Sequence, residues 1–103
     1  MIAMIRHTVA FRLRHPEGSA AERSFLDTGQ QVLSAIPGVE RFERLREVSR
    51  KNGFTFGFWM EFADQAAYDR YSSHPDHNRF VQERWAREVE EFLEIDYVPY
   101  QGA

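Results

Sequence analysis

Two runs with a period of two set most of what this chain can fold into. Between Ile5 and Leu13, the residues Ile5, His7, Val9, Phe11 and Leu13 alternate with Arg6, Thr8, Ala10 and Arg12. Between Phe54 and Phe62, Phe54, Phe56, Phe58, Met60 and Phe62 alternate with Thr55, Gly57, Trp59 and Glu61. Successive side chains of a strand point to opposite faces, so each run predicts a strand with one row against a core. The second rows, with Thr8, Ala10, Thr55 and Trp59, are too apolar for a face left in water.

The segments between these runs read as follows. His15-Pro16-Glu17-Gly18 breaks the first strand, and Ser19-Ala20-Ala21-Glu22 has the spacing of a capping box that starts a helix. Phe25, Leu26, Val32, Leu33 and Ile36 give that helix its apolar stripe, Gly29 interrupts it where something can approach the backbone, and Pro37-Gly38 ends it. Val39 to Val48 is expected as an edge strand, and Lys51-Asn52-Gly53 as a turn. Asp64 caps a short helix through Tyr71. Pro75 pushes His74 out of the helical region and opens a second helix, expected to run to about Phe92, with Leu93 to Val98 as the last strand. This order of elements predicts one α+β domain over 1–103 of the ferredoxin-like split βαβ type, with a four-stranded antiparallel sheet and helices on one face. The open face predicts a homodimer packed sheet to sheet, a dimeric α/β barrel.

Charge and composition exclude several function classes. The formal charge of −3 is spread over interspersed charges, with no basic patch to neutralise phosphates, so nucleic acid is not expected as a partner. Cysteine is absent, which removes disulfides, thiolate chemistry and Cys-type zinc sites. The apolar runs are too short for a bilayer, and the amino terminus lacks an apolar signal region, so no membrane association and a cytoplasmic location are expected.

Candidate chemistry gathers in Tyr68-Asp69-Arg70-Tyr71-Ser72-Ser73-His74-Pro75-Asp76-His77-Asn78-Arg79-Phe80. His77, Phe80, Val81, Arg84, Trp85, Val89 and Phe92 recur at helical spacing, which aims His77 inward. His7 lies on the apolar row of the first strand, so both imidazoles need buried partners. His74 and His77 have no correctly spaced third ligand, and no metal site is expected. A neutral imidazole accepts a proton near neutral pH, and a phenol such as Tyr71 donates to a developing enolate oxygen. That pair suits cofactor-free proton abstraction next to a carbonyl. Two bland readings compete: Tyr71 and His74 merely tie helix ends together, and His7 and His77 are satisfied core histidines. Glu88, Glu90, Glu91 and Glu94 read as a solvated acidic cluster near the end of the last helix, whereas Asp96 is placed near the core.

Arg6-His7-Thr8-Val9-Ala10-Phe11-Arg12, Ile36-Pro37-Gly38-Val39, Tyr71-Ser72-Ser73-His74-Pro75-Asp76-His77 and Asp96-Tyr97 together resemble the stress-responsive A/B barrel (Dabb) family over nearly the whole chain. The resemblance implies a dimeric α+β barrel. Its diverse members include plant polyketide cyclases of the olivetolic acid type, which close a ring by aldol condensation without a cofactor. By that resemblance Tyr71 and His77 would be catalytic, with His7, His74 and Asp96 around the pocket. Val9, Phe11, Phe25, Leu26 and Phe80 would form its hydrophobic part. Gly29 departs from those cyclases, which carry a pocket tyrosine there. The competing expectations are a non-catalytic stress or ligand-binding homodimer and a dimeric α+β barrel monooxygenase.

Overall fold

The computed structural model describes residues 3–100. Its elements are β1 (Ile5–Leu13), α1 (Ala20–Leu33), β2 (Glu40–Arg46), β3 (Phe56–Phe62), α2 (Gln65–Ser73), α3 (Pro75–Phe80), a π-helical turn (Val81–Trp85), α4 (Ala86–Glu88) and β4 (Val89–Tyr97). The strands form one antiparallel sheet in the order β2-β3-β1-β4, the ferredoxin-like arrangement, with the two period-two runs at its centre. Ile5, His7, Val9, Phe11 and Leu13 are buried on one face beside Phe56, Phe58, Met60 and Phe62.

Aromatic packing closes the core. Phe11 contacts Phe58 at 4.8 Å between ring centroids, Trp85 at 5.0 Å and Phe25 at 5.8 Å, so sheet and helices are tied through one cluster. Gly29 is what lets α1 approach: a Cβ there would stand 2.9 Å from the edge of the Phe58 ring. The Ser19 hydroxyl accepts from the Glu22 amide as the capping box requires, and Asp64 caps α2 by accepting from the Ala67 amide at 2.8 Å.

Several boundaries differ from the sequence reading: β3 begins at Phe56 rather than Phe54, α2 runs on to Ser73 rather than Tyr71, and the larger changes are at the last helix, β4 and β2. The last helix ends at Glu88 rather than near Phe92, and β4 begins at Val89 rather than Leu93. Val89 and Phe92 fit a helical period as well as a strand, and pairing decides between them: Leu13 lies opposite Val89 and Phe11 opposite Phe92, so the backbone of β1 is hydrogen-bonded along both edges. The acidic cluster is therefore dispersed. Glu88 ends the helix, bonded to Arg84 and to His15 at 2.6 Å; Glu90 and Glu91 accept from Arg12; Glu94 stands on β4. The edge strand β2 is shorter than Val39 to Val48 and irregular, because Arg41 takes a left-handed φ of 51° within a register shift between Glu40 and Glu43.

The second face of the sheet is uncovered. Leu45, Leu93, Ile95 and Tyr97 are exposed there around half-buried Trp59. Beyond Val89 every residue of β4 is exposed, so the helices leave even the core-side residues of that strand uncovered.

Candidate functional site

A cavity of about 270 Å³ lies between the sheet and the helices. From the sheet it is lined by His7, Val9, Phe58, Met60, Phe92 and Glu94; from the helices by Leu33, Tyr71, His77, Phe80, Val81 and Trp85. Local sequence explains why α3 contributes so much. The Pro75 break redirects the chain after α2, with the extended His74 (ψ 137°) as joint. The wide turn that follows bonds the Ala86 amide to the Val81 carbonyl, and both Val81 and Trp85 of that turn reach the cavity.

The polar end is built on His7. Its Nδ1 donates to Asp96 Oδ1 at 2.6 Å, and the Tyr68 hydroxyl donates to Asp96 Oδ2 at 2.7 Å while lying 3.1 Å from the same Nδ1. Register produces this, since His7 and Asp96 face each other across β1 and β4. With a carboxylate accepting from Nδ1, the neutral ring carries its free lone pair on Nε2.

Tyr71 is 2% exposed, and its hydroxyl, without a hydrogen-bond partner among the described residues, opens on the cavity. The His77 ring packs against it at 4.6 Å between centroids, and His77 Nδ1 lies 3.2 Å from the side-chain oxygen of Asn78. A proton on Nδ1 satisfies that contact and again leaves Nε2 as an acceptor. Burial, and then the negative charge of Glu94, push the Tyr71 phenol above its ordinary value of 10.0. Burial, and then the bond to Asp96, do the same to Tyr68. Both phenols therefore stay protonated at neutral pH and act as donors rather than bases.

Several residues named from the sequence stand elsewhere. Phe11 and Phe25 are fully buried in the aromatic cluster, and Leu26 packs on its margin; none of the three lines the cavity, because the interlocked rings close that side. His74 also does not line it: its Nδ1 accepts from the Asp76 amide at 3.1 Å, capping α3, and its amide donates to the Tyr71 carbonyl. That is the joint role weighed above. Asp96 is an exposed residue behind His7 rather than a core acid. His7, Val9, Tyr71, His77 and Phe80 do converge.

Two contributors escaped the sequence reading. Tyr68 is one of two tyrosines on the short helix, and Glu94, within the expected last strand but read there as part of a solvated cluster, is turned to the cavity by its pairing opposite Val9. One ligand atom each from His7, Glu94 and Asp96 lies within 4.8 Å of the others, the one such group among the described residues, although His7 and Asp96 are already bonded to each other.

The fold and cavity define an α+β domain of ferredoxin-like type with a polar-ended pocket between sheet and helices that opens beside β4. The family description "Stress responsive A/B Barrel Domain" (Dabb) matches residues 5–99, and the chain belongs to that family. A Dabb family protein of ferredoxin-like fold from Mesorhizobium loti is 59% identical, with 95% of this chain and 98% of that one covered and a TM-score of 0.94. A hydroxynitrile lyase from Passiflora edulis shares the fold at 15% identity and a TM-score of 0.84, covering 100% and 99% of the two chains. A dimeric ferredoxin-like protein of unknown function from Bacteroides fragilis does so at 19% and 0.71, covering 93% and 96%. No curated protein matches this chain.

The His7 network makes its own prediction. Long-range ¹H–¹⁵N NMR should show His7 as the Nδ1–H tautomer. Tyr68→Phe should cost about 1 kcal/mol in urea unfolding, and Asp96→Ala more, about 1–3 kcal/mol, because it leaves a buried donor unpaired. An Nε2–H tautomer in the unmodified protein would contradict the assignment.

Proposed function

We propose that this chain is a cofactor-independent enzyme acting on a small carbonyl compound, with His77 taking the proton next to the carbonyl and Tyr71 donating to the developing enolate oxygen. The observation that carries this reading is the Tyr71 phenol, which has no hydrogen-bond partner among the described residues and is held protonated beside an imidazole on a largely apolar cavity that opens past Phe92 and Glu94. An apolar cavity of about 150 Å³ holds benzene, so about 270 Å³ suits one aromatic ring with a short side chain. The fold also carries an enzyme in the Passiflora edulis hydroxynitrile lyase. Ring closure by aldol addition, as in the polyketide cyclases, is one reaction that this pair of groups could run.

The working unit in this proposal is a homodimer. Leu45, Trp59, Leu93, Ile95 and Tyr97 form an apolar sheet face that a second copy would cover, and the Bacteroides fragilis protein of the same fold is described as dimeric. Light scattering at micromolar concentration should return the mass of two chains; the mass of one would remove this part of the proposal.

Proton abstraction is tested with a probe rather than a natural substrate. In deuterated water the protein should accelerate exchange of the methyl protons of acetophenone, followed by NMR. Tyr71→Phe and His77→Ala should each lower that rate by about 10²–10⁴-fold, the usual worth of a positioned acid or base. Full exchange in both variants would overturn the roles. No exchange above buffer, with His77→Ala only lowering the melting temperature, would favour a non-catalytic ligand-binding dimer.

A further inference from the structure

Glu94 is the feature of the cavity that proton abstraction does not use. It projects from β4 on the same side as Phe92, opposite Val9 of β1, and, exposed at the open side of the cavity, lines it as its one carboxylate. Asp96 has His7 and Tyr68 as partners, whereas Glu94 has no hydrogen bond or ion pair among the described residues. None of the lining residues is a lysine or arginine. Beside the carboxylate stand aromatic surfaces: Phe92, and Trp85 packed edge-on against it at 5.6 Å between centroids. A lone carboxylate next to ring faces recognises an ammonium group, through charge and through the negative faces of the rings. Tyr71, 2% exposed as a residue, opens its hydroxyl on the same cavity without a hydrogen-bond partner among the described residues, and independently points to a polar ligand lodging there.

We infer that Glu94 is a specificity-determining residue and that the cavity takes an aromatic small molecule bearing a protonated amine, while rejecting carboxylates. The inference rests on the cavity being the ligand site. The aromatic body lies among Phe58, Phe80 and Trp85, and the ammonium lies at Glu94 and Phe92, leaving the carbonyl to Tyr71. A carboxylate in the same place would face Glu94 with no lysine or arginine to offset the repulsion.

Three probes of one shape test this in the full chain: 2-phenylethylamine, 2-phenylethanol and phenylacetate, titrated by NMR with EDTA present so that no divalent ion sits between His7, Glu94 and Asp96. The amine should bind tightest and the acid weakest. Glu94→Gln should weaken the amine roughly three- to tenfold, the worth of a partly exposed charge pair, and strengthen the acid. Phenylacetate binding as tightly as the amine, or an amine-to-acid ratio unchanged in Glu94→Gln, overturns the inference while leaving the cavity as a ligand site. If none of the probes shifts cavity resonances, the amine specificity and the small-aromatic reading of the cavity fall together.

Discussion

The pairing of the first and last strands is the constraint on which the rest of the site depends. β1 and β4 are far apart in the chain, yet their register sets His7 against Asp96, Val9 against Glu94 and Phe11 against Phe92. Strand side chains alternate, so a slip of one residue would turn all three β4 residues to the other face, replacing two carboxylates with Leu93 and Ile95. Val89, buried opposite Leu13, and Phe92, packed edge-on against Trp85, hold β4 in this register. A packing preference thereby fixes an electrostatic arrangement: a histidine aligned by a carboxylate and a second carboxylate free beside it.

The same chain that packs Phe11, Phe25 and Phe58 without gaps leaves a cavity a few ångströms away, and the cause is local. Pro75 ends one helix and restarts another, and the wide turn from Val81 to Trp85 follows. The helices also stop short of β4, whose residues beyond Val89 are exposed. Close packing is the default of protein interiors, and an unfilled space forgoes contacts that stabilise the fold. Here the unfilled space coincides with a phenol hydroxyl that bonds no other group among the described residues and with two imidazoles, His7 and His77, on the same cavity. That coincidence is the physical ground for reading the cavity as a site rather than a packing defect.

Much of this was legible in the sequence because the period-two runs are long and their apolar rows unambiguous. The two central strands, the capping box before α1, the Pro75 break and the ferredoxin-like order followed from them, as did the inward aim of His77 and the close approach at Gly29. What was not legible were the places where two periods coincide. Val89 and Phe92 satisfy a helical spacing and a strand equally, and only the unpaired edge of β1 decides between them. Glu94 lies in the expected last strand in either case, and only its pairing opposite Val9 takes it out of the solvated cluster and into the cavity lining. Phe11, Phe25 and Leu26 are apolar as expected, but composition does not tell a cavity wall from a closed core. Nor does it distinguish Tyr68, whose hydroxyl reaches Asp96, from Tyr71, whose hydroxyl bonds no other group among the described residues.

The account stands on the Tyr71 hydroxyl being available to a ligand. A crystal structure of the protein with acetophenone bound is the most direct measurement of that. The carbonyl oxygen should lie about 2.6–3.2 Å from the Tyr71 oxygen, a normal hydrogen-bond distance, with the ring between Phe58 and Trp85 and the methyl group toward His77. A closed core with the Tyr71 hydroxyl bonded to backbone, or a ligand seated away from Tyr71, would contradict it.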